Sequence, residues 1–261
     1  MRKAMMDLLD TRTGAADEAV GMGTVGDVLE GRARWCVVTG DCLDVLRAVP
    51  AGSVDAVVTD PPYDAKTHAG YVTIKNSIDT PRKVTLGFEP LSNFGWLEAC
   101  FCLCRAWVVA FCSLEMFGAY RDAAAHRWIR SGVWVKSNPM PQMSGDRPSQ
   151  GAEGVAVMHA VGQRMKWNGN GSPAVWTHAQ MKGFLGTPVH PTQKPIPLMM
   201  DLVRLFSNED ECIIDPFAGS GSTGVAAVKM GRRFIGVEID EGYAAVARRR
   251  IGEAADHLFA G

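Results

Sequence analysis

The chain has 261 residues, 47% of them hydrophobic and 21% charged, with a formal net charge of −1 at pH 7. That length sustains one full core, so one large domain with insertions is expected rather than two equal halves. No apolar run nears the ~20 residues that span a bilayer, and Met1-Arg2-Lys3 leads to Asp7 and Asp10 instead of a secretory core, so a cytoplasmic protein with no membrane partner is expected. Because the charge is balanced, any nucleic-acid contact must come from a local basic patch.

Residues 1–33 scatter Gly, Asp and Thr around a short helical hint at Met5 to Leu9, which predicts a loosely packed N-terminal arm or a small helix. Strands and helices then alternate. Trp35 to Thr39 reads as a strand, Cys42 to Val49 as a helix, and Val54 to Thr59 as an apolar strand that ends at Asp60-Pro61-Pro62-Tyr63. Residues 64–92 lack periodicity and read as a long loop. Phe94 to Cys104 is a predicted helix, Ala106 to Cys112 a strand, Leu114 to His126 a helix, Val133 to Lys136 a strand and Glu153 to Ala160 another. The segment from Gln163 to Pro188 shows no clear period.

Pro195 to Phe206 follows as a helix whose prolines fit the first turn. Cys212 to Asp215 is a strand, Ser222 to Met230 a helix, Phe234 to Glu238 a strand, and Glu241 to Leu258 a long amphipathic helix with an arginine-rich face. Strands separated by helices of these lengths predict an α/β fold with a mostly parallel sheet and helices on both faces. The seven cysteines include Cys100, Cys102 and Cys104, alternating in an apolar stretch, and are expected to be small core residues with no metal site.

Two short strings carry the chemistry. In Asp60-Pro61-Pro62-Tyr63 the prolines stiffen the backbone, so Asp60 and the Pro61 carbonyl form two fixed acceptors beside the Tyr63 ring. That set suits an exocyclic amine on a planar ring that stacks on an aromatic face. As a bare tetrapeptide it is more often an ordinary proline turn. The second string, Asp215-Pro216-Phe217-Ala218-Gly219-Ser220-Gly221-Ser222-Thr223, lies between a buried strand and a helix, where glycines admit a ligand to the backbone and the helix N-terminus offers unpaired N–H groups. It lacks the Gly-Lys-Ser/Thr of a P-loop, and a plain βα turn without a ligand remains the alternative. About twenty residues on, Glu238 occupies the place of an acid that accepts bonds from ribose hydroxyls, or else caps the next helix.

Taken in order, Gly40-Asp41, the Asp60 string, Trp134-Val135-Lys136, His190-Pro191-Thr192-Gln193-Lys194-Pro195, the glycine turn, and Glu238 with Asp240 resemble the permuted beta group of amino-directed DNA methyltransferases, over residues 35 to about 255. The resemblance implies a Rossmann-like class I methyltransferase fold, with a catalytic domain at 34–162 and 188–261 and a small target-recognition insertion at 163–187. It implies S-adenosylmethionine as cofactor, cradled by Asp215, Phe217, Ala218, Gly219, Ser220, Gly221 and Ser222 and bordered by Asp60. Glu238 would then hold the ribose, Asp41 the adenine amine, and His190, Thr192 and Lys194 the methionine carboxylate. Asp60, Pro61, Pro62 and Tyr63 would form the catalytic set. Duplex DNA would be the partner, gripped by Lys66, Lys75, Arg147, Arg164 and Trp167, with His68, Tyr71 and Trp176 as further contacts; a homodimer and a bacterial or phage origin also follow from the resemblance alone.

The leading Asp favours adenine N6 by family habit, and cytosine N4 is the alternative. An RNA or protein-amide acceptor would carry Asn before the prolines, which this chain does not. A silent DNA-binding relative would have lost Asp60, Tyr63 and Glu238, all present here. Only about thirty residues separate the Glu153 strand from His190, fewer than the family often gives to target recognition.

Overall fold

Along β1 (Trp35–Thr39), Trp35 and Val37 point to one side and Cys36 and Val38 to the other, and all four are buried. A strand apolar on both faces needs helices on both sides. The computed structural model, which describes residues 20–62, 72–74, 82–84, 94–161, 167–180 and 193–259, supplies them. In chain order the helices are α1 (Val25–Leu29), α2 (Cys42–Ala48), α3 (Gly95–Leu103), α4 (Phe117–Ala124), α5 (Ile196–Phe206), α6 (Ser222–Lys229) and α7 (Glu241–Phe259). After β1 the strands are β2 (Val54–Thr59), β3 (Val72–Ile74), β4 (Arg82–Val84), β5 (Cys104–Cys112), β6 (Trp128–Lys136), β7 (Ala152–His159), β8 (Val175–His178), β9 (Cys212–Asp215) and β10 (Arg233–Glu238).

Eight strands form one sheet in the order β1-β10-β9-β2-β5-β7-β6-β8, and β3 pairs with β4 as a separate antiparallel ribbon. In the large sheet only β7 runs against its neighbours; the remaining pairings are parallel. Apolar residues of α1 to α4 pack on one face with Val57, Val108 and Ile214, and those of α5 to α7 on the other with Ala56, Val58, Phe111 and Ile213. This is the expected α/β architecture with helices on both faces. Among the described residues, no helix is long and apolar enough to cross a membrane.

Four segments depart from the sequence reading. Residues 20–33, expected in a loose arm, pack onto the sheet edge: Val25 and Val28 of α1 are buried, each burial contributing about 1.5–3 kcal/mol. Thr24 and Asp27 close a capping box at its start, and the Trp35 indole donates to the Val20 carbonyl at 3.1 Å. The helix is only one turn long, too short for a periodic signal.

Strand β6 begins at Trp128, five residues earlier than expected, because its first half holds exposed Arg130 and Ser131 that pair with β7 without burying an apolar face. The helix expected over Leu114 to His126 is confined to Phe117–Ala124 and stops at Ala125, whose φ of 50° ends helical geometry. Val175–His178, inside the supposed recognition insertion, is strand β8 and pairs with β6. The seven cysteines are all free; Cys100 and Cys104 are buried as expected, but Cys102 is exposed.

Candidate active site

Parallel pairing of Ala56 with Ile213 and Val57 with Ile214 sets the ends of β2 and β9 side by side. The two chemical strings therefore meet. Across 156 residues of sequence, the buried Thr59 hydroxyl donates to Asp215 Oδ1 at 2.7 Å, while Thr223 Oγ1 donates to Oδ2 at 2.5 Å and the Phe217 amide to Oδ1 at 3.0 Å. Asp215 thus ties the strand before Asp60 to both limbs of the glycine turn. Burial, only partly offset by these bonds, pushes its carboxyl up to about 6.

A carboxyl raised from 3.8 to about 6 contributes stability that is full below pH 3.8 and is lost as pH rises through 6. Asp215→Asn keeps the size without the charge. Its melting temperature relative to the parent is expected to climb between pH 4 and pH 7, by an amount equivalent to about 2–3 kcal/mol. Thermal melts across that range check this, and a constant difference would contradict it.

Within the turn, Gly219 and Gly221 have φ of 52° and 82°, values that L side chains rarely adopt. A Cβ on Gly221 would lie 3.0 Å from the Ala247 backbone, so this glycine lets α6 press against α7. Among the described residues a Cβ on Gly219 would meet nothing within 4 Å, and the same holds at Gly40 beyond β1. Those two backbones border open space that a ligand can enter. Ser222 Oγ, buried at the first residue of α6, has no hydrogen-bond partner among the described residues. Such an atom is costly unless something pairs with it, and a polar ligand group at the turn would do so.

Glu238, at the end of β10, accepts from the Gly219 amide at 2.8 Å through Oε2 and from the Asp240 amide at 2.9 Å through Oε1. Burial raises its carboxyl above the ordinary value, and the backbone bonds act in the opposite sense. Asp41 caps α2 through Oδ1, which accepts from the Leu43 and Asp44 amides at 2.8 and 3.3 Å. The Gly40 amide bonds to the Glu238 carbonyl at 2.9 Å, which joins the ends of β1 and β10 that carry the two acids. Ser220 is fixed from α7 by Arg250, whose Nη1 donates to Ser220 Oγ at 2.9 Å. The Phe217 ring meets the Trp96 ring edge-on at 5.4 Å.

The resemblance sets Lys194 on the methionine carboxylate. Its ammonium is buried, 2.6 Å from Asp60 Oδ2 and 3.2 Å from Glu153 Oε2, so two protein carboxylates engage the cation expected on the methionine carboxylate. On the far side Lys136 reaches Glu153 Oε1 at 2.8 Å, and Lys194 lies 4.8 Å above the Phe111 ring. Burial alone would lower the Lys194 value, but the two carboxylates outweigh it and hold it above normal. Burial would likewise raise Glu153, yet the two lysines bring it down to about 2.

Pro61 is buried and Pro62 half-buried, which keeps the strand exit in place. Tyr63, Lys66, His68, Tyr71, Lys75, Arg164, His190 and Thr192 lie outside the described residues. Arg147 is exposed and pairs with Asp146 at 2.8 Å. Trp176 faces the interior, whereas Trp167 is partly exposed. Trp176 is buried, its ring 6.4 Å from Phe206; Trp167 packs at 5.8 Å on the same ring and gives its indole N–H to the Asn170 carbonyl at 2.8 Å. Glu153, Thr59 and Arg250 received no role from sequence. A glutamate opening an otherwise apolar strand was the available signal for Glu153, since a buried carboxylate needs a cation.

A nearly all-parallel sheet, a glycine turn after β9, an acid after β10 and the Asp60 string beside them define a class I methyltransferase fold. The DNA methylase family of the N6/N4 type matches residues 54–249, and the chain belongs to that family. It is similar to the type II methyltransferase M.HinfI of Haemophilus influenzae, with 26% identity over 245 residues that cover 83% of this chain and 68% of the relative. Among solved structures, the M1.HpyAVI–SAM complex aligns with a TM-score of 0.63 and 23% identity, over 83% of this chain and 99% of that one. PvuII DNA methyltransferase, described as cytosine-N4-specific, aligns with a TM-score of 0.64 and 15% identity, over 88% and 94% of the two chains. At those identities the structural likeness speaks for the fold.

Proposed function

We propose that the protein transfers a methyl group from S-adenosylmethionine to the exocyclic N6 amine of adenine in duplex DNA. The observation that carries this reading is the placement of Asp60 directly beside the glycine turn, joined to it through Thr59 and Asp215. S-adenosylmethionine supplies an electrophilic methyl on a sulfonium. The chain offers it the open backbone at Gly219 and Gly40, the unpartnered Ser222 hydroxyl, and the flanking acids Glu238 and Asp41. A carboxylate has about four acceptor sites, so Glu238 retains capacity beyond its backbone bonds, which suits ribose hydroxyls.

An aromatic amine is a poor nucleophile because its lone pair is spread into the ring. Asp60 and the Pro61 carbonyl, as two fixed acceptors, draw its hydrogens out of the ring plane and expose that pair, with Tyr63 as the stacking surface. The amine nitrogen forms its bond to the methyl as the carbon–sulfur bond breaks, and the surplus proton passes to Asp60 or to water. Positioning and electrostatics supply the rate. The target amine is shielded inside a stacked duplex, so the base must be extruded, at a cost of a few kcal/mol.

The leading acid of the Asp60 string supports adenine over cytosine. Mapping modified bases in DNA from cells expressing the protein tests base and activity together. N6-methyladenine in a fixed sequence context is the expected product; N4-methylcytosine alone would transfer the assignment to cytosine.

A further inference from the structure

Four charged side chains alternate at the edge of the site: Lys136, Glu153, Lys194 and Asp60, linked at 2.8, 3.2 and 2.6 Å in that order. Lys194 is 7% exposed, Lys136 11%, Glu153 18% and Asp60 25%, so the array is mostly withdrawn from water and opens at the Asp60 end. Stability does not explain such an array. Withdrawing each ion costs several kcal/mol, and apolar side chains of like volume would serve the fold as well or better.

We propose that Glu153 is a positioning residue for methyl transfer, setting through Lys194 how firmly the Asp60 carboxylate is gripped. This rests on the reading of Asp60 as an acceptor for the target amine. An ammonium shared between two carboxylates is held between them, with the shorter contact on Asp60 and the longer on Glu153. Without the Glu153 charge, Lys194 has one carboxylate to satisfy and closes onto Asp60, adding donors to the oxygen that must accept from the substrate. Lys136 fixes Glu153 from behind and keeps the array neutral, since two ammonium groups face two carboxylates. Asp60 is then an anchored anion whose acceptor strength is not cancelled by its own counter-ion.

The test separates charge from shape. Glu153→Gln keeps the volume and loses the charge, whereas Glu153→Asp keeps the charge at a shorter reach. With the full chain, duplex DNA and S-adenosylmethionine, kcat is expected to fall about ten- to a hundredfold in Glu153→Gln and less in Glu153→Asp, with KM for both substrates unchanged. A residue that only fills space would give the reverse order, Gln near the parent and Asp worse, and that result would overturn the proposal. So would a loss confined to KM. If Glu153→Gln does not fold, Glu153→Met serves as the charge-free variant beside Glu153→Asp: a larger loss of kcat in Glu153→Met than in Glu153→Asp at constant KM supports the role, and the reverse order refutes it. Asp60→Asn isolates the underlying reading, because retained activity there removes Asp60 itself from the reaction. An inactive Asp60→Asn beside a fully active Glu153→Gln removes only Glu153.

Discussion

Asp60→Ala is expected to lower methyl transfer to DNA on the order of a thousandfold while leaving the affinity for S-adenosylmethionine within about threefold. The substitution deletes one of two acceptors that act on the target amine only as it turns nucleophilic, so the loss belongs in kcat. On the proposed reading the cofactor side depends instead on Gly219, Glu238, Asp41 and Asp215, where the Gly219 amide bonds to Glu238, the Leu43 amide to Asp41 and the Thr223 hydroxyl to Asp215. Lys194 keeps Glu153 as a counter-ion, so folding survives the change. Single-turnover transfer and calorimetric titration with the cofactor measure the two quantities separately. An unaltered transfer rate would remove Asp60 from the chemistry.

Lys194→Met should produce the largest loss of stability among these substitutions, about 3–5 kcal/mol, or on the order of 10 °C in Tm. Methionine replaces the alkyl stem but not the charge, and leaves Asp60 and Glu153 as half-buried anions without the ammonium between them, with Lys136 still on Glu153. The pH dependence gives the sign. The Glu153 carboxyl is held at about 2 against an ordinary 4.5, so its contribution is present above pH 4.5 and lost as pH falls towards 2. The gap in Tm between parent and Lys194→Met is therefore expected to narrow from pH 7 down to pH 3. Adding Glu153→Gln to Lys194→Met should recover part of the loss by removing the repulsion between the two carboxylates. A gap independent of pH would mean that Lys194 contributes packing alone.

Much of this was legible in the sequence because it is local. Runs such as Val54 to Thr59 and Cys212 to Asp215 announce buried strands by composition, and the glycine turn announces a βα junction by its spacing. What escaped was set by partners distant in the chain. Val175–His178 is too short and too mixed to signal a strand; it exists because β6 offers it an edge. The one-turn helix at Val25 needs the sheet beneath it. Trp176 has the composition of a nucleic-acid surface, yet it packs beside Phe206 in the interior, while Trp167 leans on the same ring and stays partly exposed. Lys194 was assigned to a ligand by motif, and its position between Asp60 and Glu153 follows only from the order of strands in the sheet.

The reversal of β7 has a consequence for how the reactive rim is supplied. A strand running with the majority can offer that rim only what stands at its far end: Thr59 leading to Asp60, Lys136, Asp215 and Glu238 all come last in their strands or just after. β7 travels the other way, so its opening residues arrive there, and Glu153 lies opposite Trp134 near the finish of β6. One inverted ribbon thereby brings a carboxylate from a second chain direction to the same border. The connection across residues 137–151 is consequently also rooted at the mouth of the cleft, where lengthening or reshaping it would alter access without disturbing any layer of the sheet.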